Sequence, residues 1–131
     1  MASIFSRIVA GEIPCYKIAE NADYLAFLDV FPLKKGHALV IPKKETDYIF
    51  DLDDKEYLEL MSFSKRVAEA ITKSIECKRI SLHVVGLEVP HAHVHLVPIN
   101  TVNDCNFSQE KLKLTKEEFE EIARLIASNF K

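Results

Sequence analysis

Hydrophobic residues recur every three or four positions in several stretches of the chain, which is the spacing of an amphipathic helix. The first stretch covers residues 4–10, and Ser3 precedes it as a helix-capping side chain. The longest begins after Asp53, has Glu56 three residues later as in a capping box, and continues to about residue 76. These two stretches predict a short N-terminal helix and one long central helix.

A third helical stretch and five extended ones complete the pattern. Thr115, followed by Glu118, opens a C-terminal helix with a capping-box signature. Apolar runs and apolar–polar alternation predict five strands, at about residues 15–19, 24–30, 37–42, 79–85 and 92–98. Residues 100–112 are predicted to form an irregular polar loop. Strands grouped around one long helix favour an α+β fold with a mainly antiparallel sheet.

Length and charge narrow the class of protein. The chain has 131 residues, which suits a single domain over residues 1–131 whose core needs neither disulfides nor metal. A net charge of −3 gives no overall attraction to nucleic acid or to an anionic membrane. No apolar segment approaches the roughly 18 residues needed to span a bilayer. We therefore expect no nucleic acid and no membrane as partners, and local groups must bind any anionic ligand.

The cysteines indicate the cellular compartment. Cys15, Cys77 and Cys105 are odd in number, far apart and in no CxxC pair, which argues against a disulfide framework and against a cysteine-based zinc site. The N-terminal residues lack the basic stretch and the continuous apolar run of a signal peptide. A reducing cytoplasm is the expected location.

Three of the five histidines lie in one short segment, at His91, His93 and His95. On a strand, alternate residues share a face, so the three imidazoles should project from one side with neighbouring Cα atoms about 7 Å apart. Ala92 and Val94 would face the core. A neutral imidazole can attack phosphorus, relay a proton or bind a metal, so this segment carries the chemistry that the sequence predicts.

Two other interpretations of the histidine cluster follow from the residues alone. The histidines could be structural, although three on one strand face by chance are improbable. They could also bind zinc, because two histidines separated by one residue on a strand are a familiar ligand pair. No nearby Cys, Asp or Glu completes an obvious ligand set, although His83 and Glu88 are close in sequence. We therefore expect no metal.

Three segments resemble the histidine triad (HIT) family, in that family's order and spacing. The segment HAHVHLVP matches its three alternating histidines, FLDVFPLKKGHALVIPKK matches a strand–turn–strand, and IFSRIVAGEIPCYKI is similar to its common opening. The resemblance covers about residues 3–99, which leaves a C-terminal loop and helix at residues 100–131 outside it. It points to the branch of nucleoside phosphoramidases and dinucleoside polyphosphate hydrolases.

The resemblance implies a fold, an assembly and an activity. The fold is α+β with a five-stranded sheet, and two protomers pair through the long helix and a strand near residues 79–85, so that one sheet continues across a homodimer. The substrate is a purine nucleotide derivative cleaved at its α-phosphorus, with no cofactor. A nucleotidyl-histidine intermediate forms and water then hydrolyses it.

The family's catalytic residues transfer by position in the motifs. His93 is the middle histidine and would be the nucleophile. His91 would orient it through its backbone carbonyl, His95 would contact the phosphate or the leaving group, and His37 would hydrogen-bond into the cluster.

The nucleotide-binding positions of the family also transfer. Asp29 stands where a carboxylate holds the ribose hydroxyls, and an acceptor-only group suits two hydroxyl donors. Other matched positions line the base and phosphate sites, namely Phe5, Ile8, Phe27, Val30, Gly86, Glu88 and Val89. Four of these residues match the apolar positions around the base and are also compatible with a core role: Phe5, Ile8, Phe27 and Val30.

The chain departs from the family pattern just before the triad. Leu87 stands where many members have glutamine, and no asparagine precedes it. Either Glu88 and His83 take over the polar contacts, or the range of substrates has shifted. Cysteines that bind structural zinc in some members are also missing, with Ser3 and Ser6 in that region. Two alternatives to the nucleotide hydrolase stay open: a metal-dependent hydrolase that uses the same histidines, and a nucleotide-binding module with little turnover.

Overall fold

The computed structural model describes residues 2–131, and it contains three α-helices, two 3-10 helices and five strands. In chain order the elements are α1 (Ile4–Val9), β1 (Lys17–Glu20), β2 (Tyr24–Leu28), β3 (Ala38–Pro42), a 3-10 helix (Ile49–Asp51), α2 (Asp54–Ser74), β4 (Arg79–His83), β5 (Val94–Ile99), a second 3-10 helix (Val102–Cys105) and α3 (Lys116–Asn129). Each α-helix begins at the predicted cap, because Ser3, Asp53 and Thr115 each accept a hydrogen bond from the backbone three residues later.

The five strands form one sheet in the order β1-β2-β3-β5-β4, and every neighbouring pair is antiparallel. This confirms the predicted α+β fold with its antiparallel five-stranded sheet. β5 lies between β3 and β4, so the strand that carries the last histidine of the triad is central. β4 is an edge strand, with one row of backbone groups not paired within the sheet.

The two faces of the sheet are covered unequally. On one face α2 and α3 enclose the main core, where Leu60, Val67 and Ile71 of α2 are fully buried. On the other face a smaller cluster contains Phe5, Leu25, Phe27, Leu39 and Ile41. Period-two alternation along β2 and β3 sends successive side chains to the two faces. The thinly covered second face leaves room for a binding site.

The segment before β5 differs from its prediction as a strand from residue 92. β5 begins at Val94, because the preceding backbone is bonded elsewhere: the amide of His91 donates to the carbonyl of Val89 and the amide of Ala92 donates to that of Thr46. His91 and His93 therefore precede the strand. Other strand bounds shift by one to two residues, and Val30 lies beyond the end of β2.

Phe63 of α2 has a different role from the one its spacing suggests. The sequence places it off the core-facing row of the helix, as a candidate for a surface between protomers. In the structure it is buried, with ring centroids 5.9 Å from Tyr24 and 5.6 Å from Phe130. The C-terminal segment covers it, so Phe63 belongs to the core.

Gly36 allows a tight turn between β2 and β3. Its φ is +90°, in the left-handed region that favours glycine. A Cβ atom at this position would lie 2.9 Å from Cγ1 of Ile75 and 3.3 Å from Cγ of Pro98. The turn therefore packs directly on the end of α2 and on β5, and it places His37 next to the triad.

Among the described residues, no helix is long and apolar enough to cross a membrane.

Candidate active site

A pocket of about 560 Å³ opens on the thinly covered face of the sheet. This volume is in the range of small-molecule sites in proteins. Its wall is mostly apolar and comes from α1, the ends of β2 and β3, the segment before β5 and the loop after β5. Every nucleotide-binding position expected from the motifs lines it, together with three of the histidines: Phe5, Ile8, Phe27, Asp29, Val30, His37, Gly86, Glu88, Val89, His93 and His95.

His93 presents one free ring nitrogen to this pocket. Its Nδ1 lies 2.8 Å from the backbone carbonyl oxygen of His91, so Nδ1 carries the proton and donates. Nε2 has no hydrogen-bond partner among the described residues. Every fully buried polar side-chain atom among those residues has a partner, so the unpartnered Nε2 must be accessible from the pocket. The ring of Phe5 packs edge-on at 4.9 Å between centroids. An imidazole in this state offers a lone pair in a fixed direction.

A chain of hydrogen bonds also assigns the protons of His37 and His95. The backbone amide of Leu33 donates to Nδ1 of His37 at 3.0 Å, so the proton of a neutral His37 sits on Nε2. That Nε2 lies 3.0 Å from Nδ1 of His95 and donates to it. The proton of a neutral His95 is therefore on its own Nε2, which has no partner in residues 2–131 and faces the pocket. His95 offers an N–H donor beside the lone pair of His93.

His91 is the one triad member that does not line the pocket. It is completely buried, its Nε2 donates to the carbonyl of Pro42 at 2.7 Å, and its Nδ1 accepts from Oγ of Ser3 at 2.8 Å. Both ring nitrogens are thus occupied. The geometry gives His91 two structural contacts, to the end of β3 and to the cap of α1, besides the carbonyl that holds His93.

Burial favours the neutral form of three imidazoles, those of His37, His93 and His95. Desolvation lowers the pKa of His93 below its ordinary value. It lowers the pKa of His95 to about 3 and, with the neighbouring His95 adding to the effect, the pKa of His37 to about 3. Oδ2 of Asp29 approaches Nε2 of His37 at 3.5 Å, but a His37 with so low a pKa is uncharged, so this contact is not an ion pair.

Asp29 is the acidic group at the end of β2. Its Oδ1 accepts from the amide of Phe31 at 2.8 Å. Burial raises the pKa of Asp29 to about 6, against the opposing effects of the Phe31 amide and of the Lys111 ammonium. The carboxylate is therefore ionised at neutral pH and can accept hydrogen bonds from a ligand.

The positions that depart from the family pattern lie at the rim. Leu87 is 88% exposed and lines the mouth of the pocket, so no polar side chain occupies that place. Glu88 lines the pocket. His83, the other proposed substitute, does not line it and is instead 2.9 Å from Oγ of Ser81.

Among the residues of the pocket wall that the sequence analysis did not predict, two lie beyond β5. Phe107 and Lys111 come from the loop that was predicted only to be polar and irregular, and part of that loop is the second 3-10 helix. The amide of Leu112 donates to the carbonyl of Pro32 at 2.8 Å, which holds this loop against the β2–β3 turn. No periodicity in the sequence predicts that Phe107 or Lys111 lines the pocket, because one side chain that contacts a distant part of the fold leaves no repeating pattern along the chain.

A five-stranded antiparallel sheet with alternating histidines just before and at the start of one strand, two of them opening into an apolar pocket, defines the histidine triad class of proteins. A sequence model of the HIT domain matches residues 10–102, and the chain belongs to this family. This confirms the resemblance found in the three sequence motifs.

Individual relatives agree with the family match. An adenosine 5′-monophosphoramidase of Schizosaccharomyces pombe is 39% identical over 99 residues, covering 75% of this chain and 74% of that protein. A solved HIT-like protein from Bartonella henselae, described as involved in cell-cycle regulation, has a TM-score of 0.84 at 27% identity and covers 98% of this chain and 96% of its own. A zinc-bound histidine triad family protein from Mycobacterium smegmatis has a TM-score of 0.81 at 27% identity, covering 98% and 93%. With the family match, the first of these supports hydrolase activity on nucleotides.

Proposed function

We propose that this protein hydrolyses nucleoside phosphate derivatives at the α-phosphorus, through a nucleotidyl intermediate on His93. One observation carries the proposal: the free Nε2 of His93 faces a nucleotide-sized pocket while its Nδ1–H is held by the carbonyl of His91. A neutral imidazole that is oriented in this way is a competent nucleophile. The similarity to an adenosine 5′-monophosphoramidase favours a phosphoramidate of adenosine as one substrate.

The reaction proceeds in two displacements. Nε2 of His93 donates its electron pair to phosphorus, the bond between phosphorus and the leaving group breaks, and the leaving group departs with that electron pair and takes up a proton. The Nδ1–H bond to the His91 carbonyl stabilises the positive charge on the substituted ring. Nε2–H of His95 donates to a phosphoryl oxygen or to the leaving atom. Water then attacks phosphorus and loses a proton to solvent, which balances the proton that the leaving group takes from solvent. The N–P bond breaks with its electron pair returning to Nε2, and the nucleoside monophosphate and neutral His93 are released.

A metal-dependent hydrolase is less well supported by the geometry. Ligand atoms of Asp29, His37 and His95 lie within 4.8 Å of one another. However, Nε2 of His37 already donates to Nδ1 of His95, so a cation would have to displace that proton and the hydrogen bond. The zinc of the Mycobacterium smegmatis relative belongs to that protein. A nucleotide-binding module without turnover would not need the free nitrogen of His93.

Trapping the intermediate tests the proposed function. The purified protein is mixed rapidly with labelled adenosine and guanosine phosphoramidates and dinucleoside polyphosphates, quenched, and analysed by peptide mass spectrometry. We expect a nucleoside monophosphate adduct on His93, and none in a His93→Ala variant. Two results would favour the metal-dependent alternative. One is turnover of a substrate with no adduct at any time, and the other is turnover only after zinc is added.

Asp29→Ala is expected to weaken binding of AMP far more than binding of 2′-deoxy-AMP. The lost charge-assisted hydrogen bonds to the ribose are worth on the order of 1.5 to 3 kcal/mol, which is about a 10- to 150-fold change in Kd. Titration calorimetry with both nucleotides measures the difference, and Asp29→Asn, which keeps an acceptor for the Phe31 amide, is the matched control. Equal weakening of both ligands would mean that Asp29 is only structural.

The same carboxylate predicts a pH dependence. Because burial raises the pKa of Asp29 to about 6, the group is ionised above that pH and protonated below it. The preference of the wild type for AMP over 2′-deoxy-AMP should therefore be full at pH 8 and shrink as the pH falls through 6. In Asp29→Asn it should be small and independent of pH.

We propose that the protein is a homodimer in which β4 pairs with its counterpart. β4 is an edge strand, and exposed apolar side chains surround it on β4, on the loop after it and on the first 3-10 helix, namely Leu82, Val84, Val85, Tyr48 and Phe50. Exposed apolar area of this kind usually marks an interface, and a two-fold dimer is the commonest closed assembly. Leu58 of α2 is also exposed, at 65%. A stable interface should bury roughly 2,000 Å² or more.

Sedimentation velocity at micromolar protein is expected to report a dimer. Leu82→Asp should dissociate it, because the change would bury a charge in the apolar interface. Leu125→Asp, on an exposed position of α3, is the matched control and should remain dimeric. A folded wild-type monomer would overturn the proposed assembly.

The cytoplasm is the proposed location, since the thiols of Cys15, Cys77 and Cys105 are all free.

A further inference from the structure

The ring of Phe107 packs against three imidazoles at the edge of the pocket. Its centroid lies 4.9 Å from that of His95, 5.2 Å from that of His83 and 6.2 Å from that of His37, with the ring planes 77° to 86° apart. Such edge-to-face contacts are favourable for aromatic pairs. Phe107 lies outside residues 10–102, the part of the chain that the family model matches. It is therefore a part of the pocket wall that the family model does not include.

The loop that carries Phe107 is attached to the same turn as His37. Nζ of Lys34 lies 3.4 Å from Oδ1 of Asp104, and Oδ2 of Asp104 accepts from the amides of Asn100 and Thr101. Beyond Phe107, the amide of Leu112 donates to a carbonyl in the turn. These contacts hold both ends of the loop, so the backbone on either side of Phe107 is anchored to the turn that carries His37.

His95 needs such a support. Its ring makes one hydrogen bond within the described residues, from Nε2 of His37 to Nδ1. One hydrogen bond fixes the distance between two rings but leaves the plane of His95 free to tilt. A half-turn of the ring about the Cβ–Cγ bond would put Cδ2 in the place of Nδ1 and Cε1 in the place of Nε2, so the bond from His37 that sets the tautomer would be lost. A neighbouring ring packed edge-on at 4.9 Å stands in the way of that rotation.

We propose that Phe107 is a positioning residue, which holds the ring of His95 so that its Nε2–H points at the phosphoryl group and the leaving atom. This inference rests on the proposed function and extends it to the loop after β5. A misplaced donor costs rate more than affinity, because the contact of His95 with the leaving atom strengthens in the transition state.

The test uses three variants of the full-length protein. Phe107→Ala removes the ring, Phe107→Leu keeps apolar bulk at the same place, and Val102→Ala shortens an 86% exposed side chain in the same loop as the matched control. Long-range ¹H–¹⁵N spectra at pH 8 report which nitrogen of His95 carries the proton, without any turnover. Steady-state rates with adenosine 5′-phosphoramidate give kcat and KM.

We expect Phe107→Ala to show a mixture of His95 tautomers and a kcat lowered about 10- to 100-fold at nearly unchanged KM. Phe107→Leu should recover most of both properties, and Val102→Ala should match the wild type. An unchanged tautomer in Phe107→Ala, an unchanged kcat, or an equal loss in Phe107→Leu would each overturn the proposal. If the wild type itself hydrolyses no nucleotide, the proposed function fails, and the tautomer spectra still decide whether Phe107 sets the state of His95.

Discussion

His93→Ala is expected to abolish turnover while nucleoside monophosphate binding persists. The alanine variant has no atom that can take the phosphoryl group, and loss of a covalent nucleophile typically lowers kcat by about 1,000-fold or more. The groups proposed to bind the nucleoside, such as Asp29 and Phe27, lie on other parts of the pocket wall and should stay in place. The loss should therefore appear in kcat and leave the Kd for AMP within a few-fold of the wild-type value.

Single-turnover kinetics with adenosine 5′-phosphoramidate and calorimetry with AMP measure the two quantities separately. His83→Ala is the matched control, because it also removes an imidazole but from a residue that does not line the pocket. Its rate should stay much closer to that of the wild type. A His93→Ala protein that kept a tenth of the wild-type activity would show that the nucleophile is another group.

Gly36→Ala is expected to give the largest loss of stability among single-methyl changes at the described glycines. The new Cβ would meet Ile75 at 2.9 Å and Pro98 at 3.3 Å, and a non-glycine residue would also have to adopt φ +90°. Backbone strain costs about 1 to 3 kcal/mol and overpacking about as much again, so we expect the free energy of unfolding to fall by roughly 2 to 6 kcal/mol. Relief of the clash would shift the turn, and His37 with it, so the catalytic rate should fall too.

Gly11→Ala separates the two causes. Gly11 has a similar φ of +81°, but a Cβ there would meet no atom within 4 Å, so only the backbone strain remains. Urea denaturation of both variants should show a distinctly smaller loss for Gly11→Ala, with wild-type activity. Equal losses in the two variants would mean that the contacts with Ile75 and Pro98 adjust at no cost.

Local patterns predicted most of the fold. The three helix caps, the helical periodicities and the antiparallel strands each follow from residues that are close in sequence, and all appear in the structure. The start of β5 was misplaced, because alternation of His91, Ala92 and His93 has the period of a strand while the backbone amides of His91 and Ala92 bond elsewhere. Alternation constrains side-chain direction and does not by itself show that a strand is paired.

The candidate site was also predictable only where local sequence motifs define it. The three motifs identified the histidines, Asp29 and the apolar wall, since these residues stand at fixed positions in a family pattern. Phe107 and Lys111 could not be found in this way, because their place in the pocket depends on how a loop of the C-terminal region folds back over the sheet. The positions of the ring protons could not be predicted from the sequence either, because they depend on which group each ring nitrogen hydrogen-bonds.

Those backbone groups bear on how such a protein can diversify. The amide of Leu33 and the carbonyls of Pro42 and His91 set the protons on the clustered rings, and main-chain groups survive nearly every point mutation. Apart from a proline at position 33, which would delete the amide, few single changes can remove these partners. Rim positions such as Leu87 are thus free to vary during evolution. If His93 is the nucleophile as proposed, new leaving groups can be accommodated there while its Nε2 keeps the lone pair.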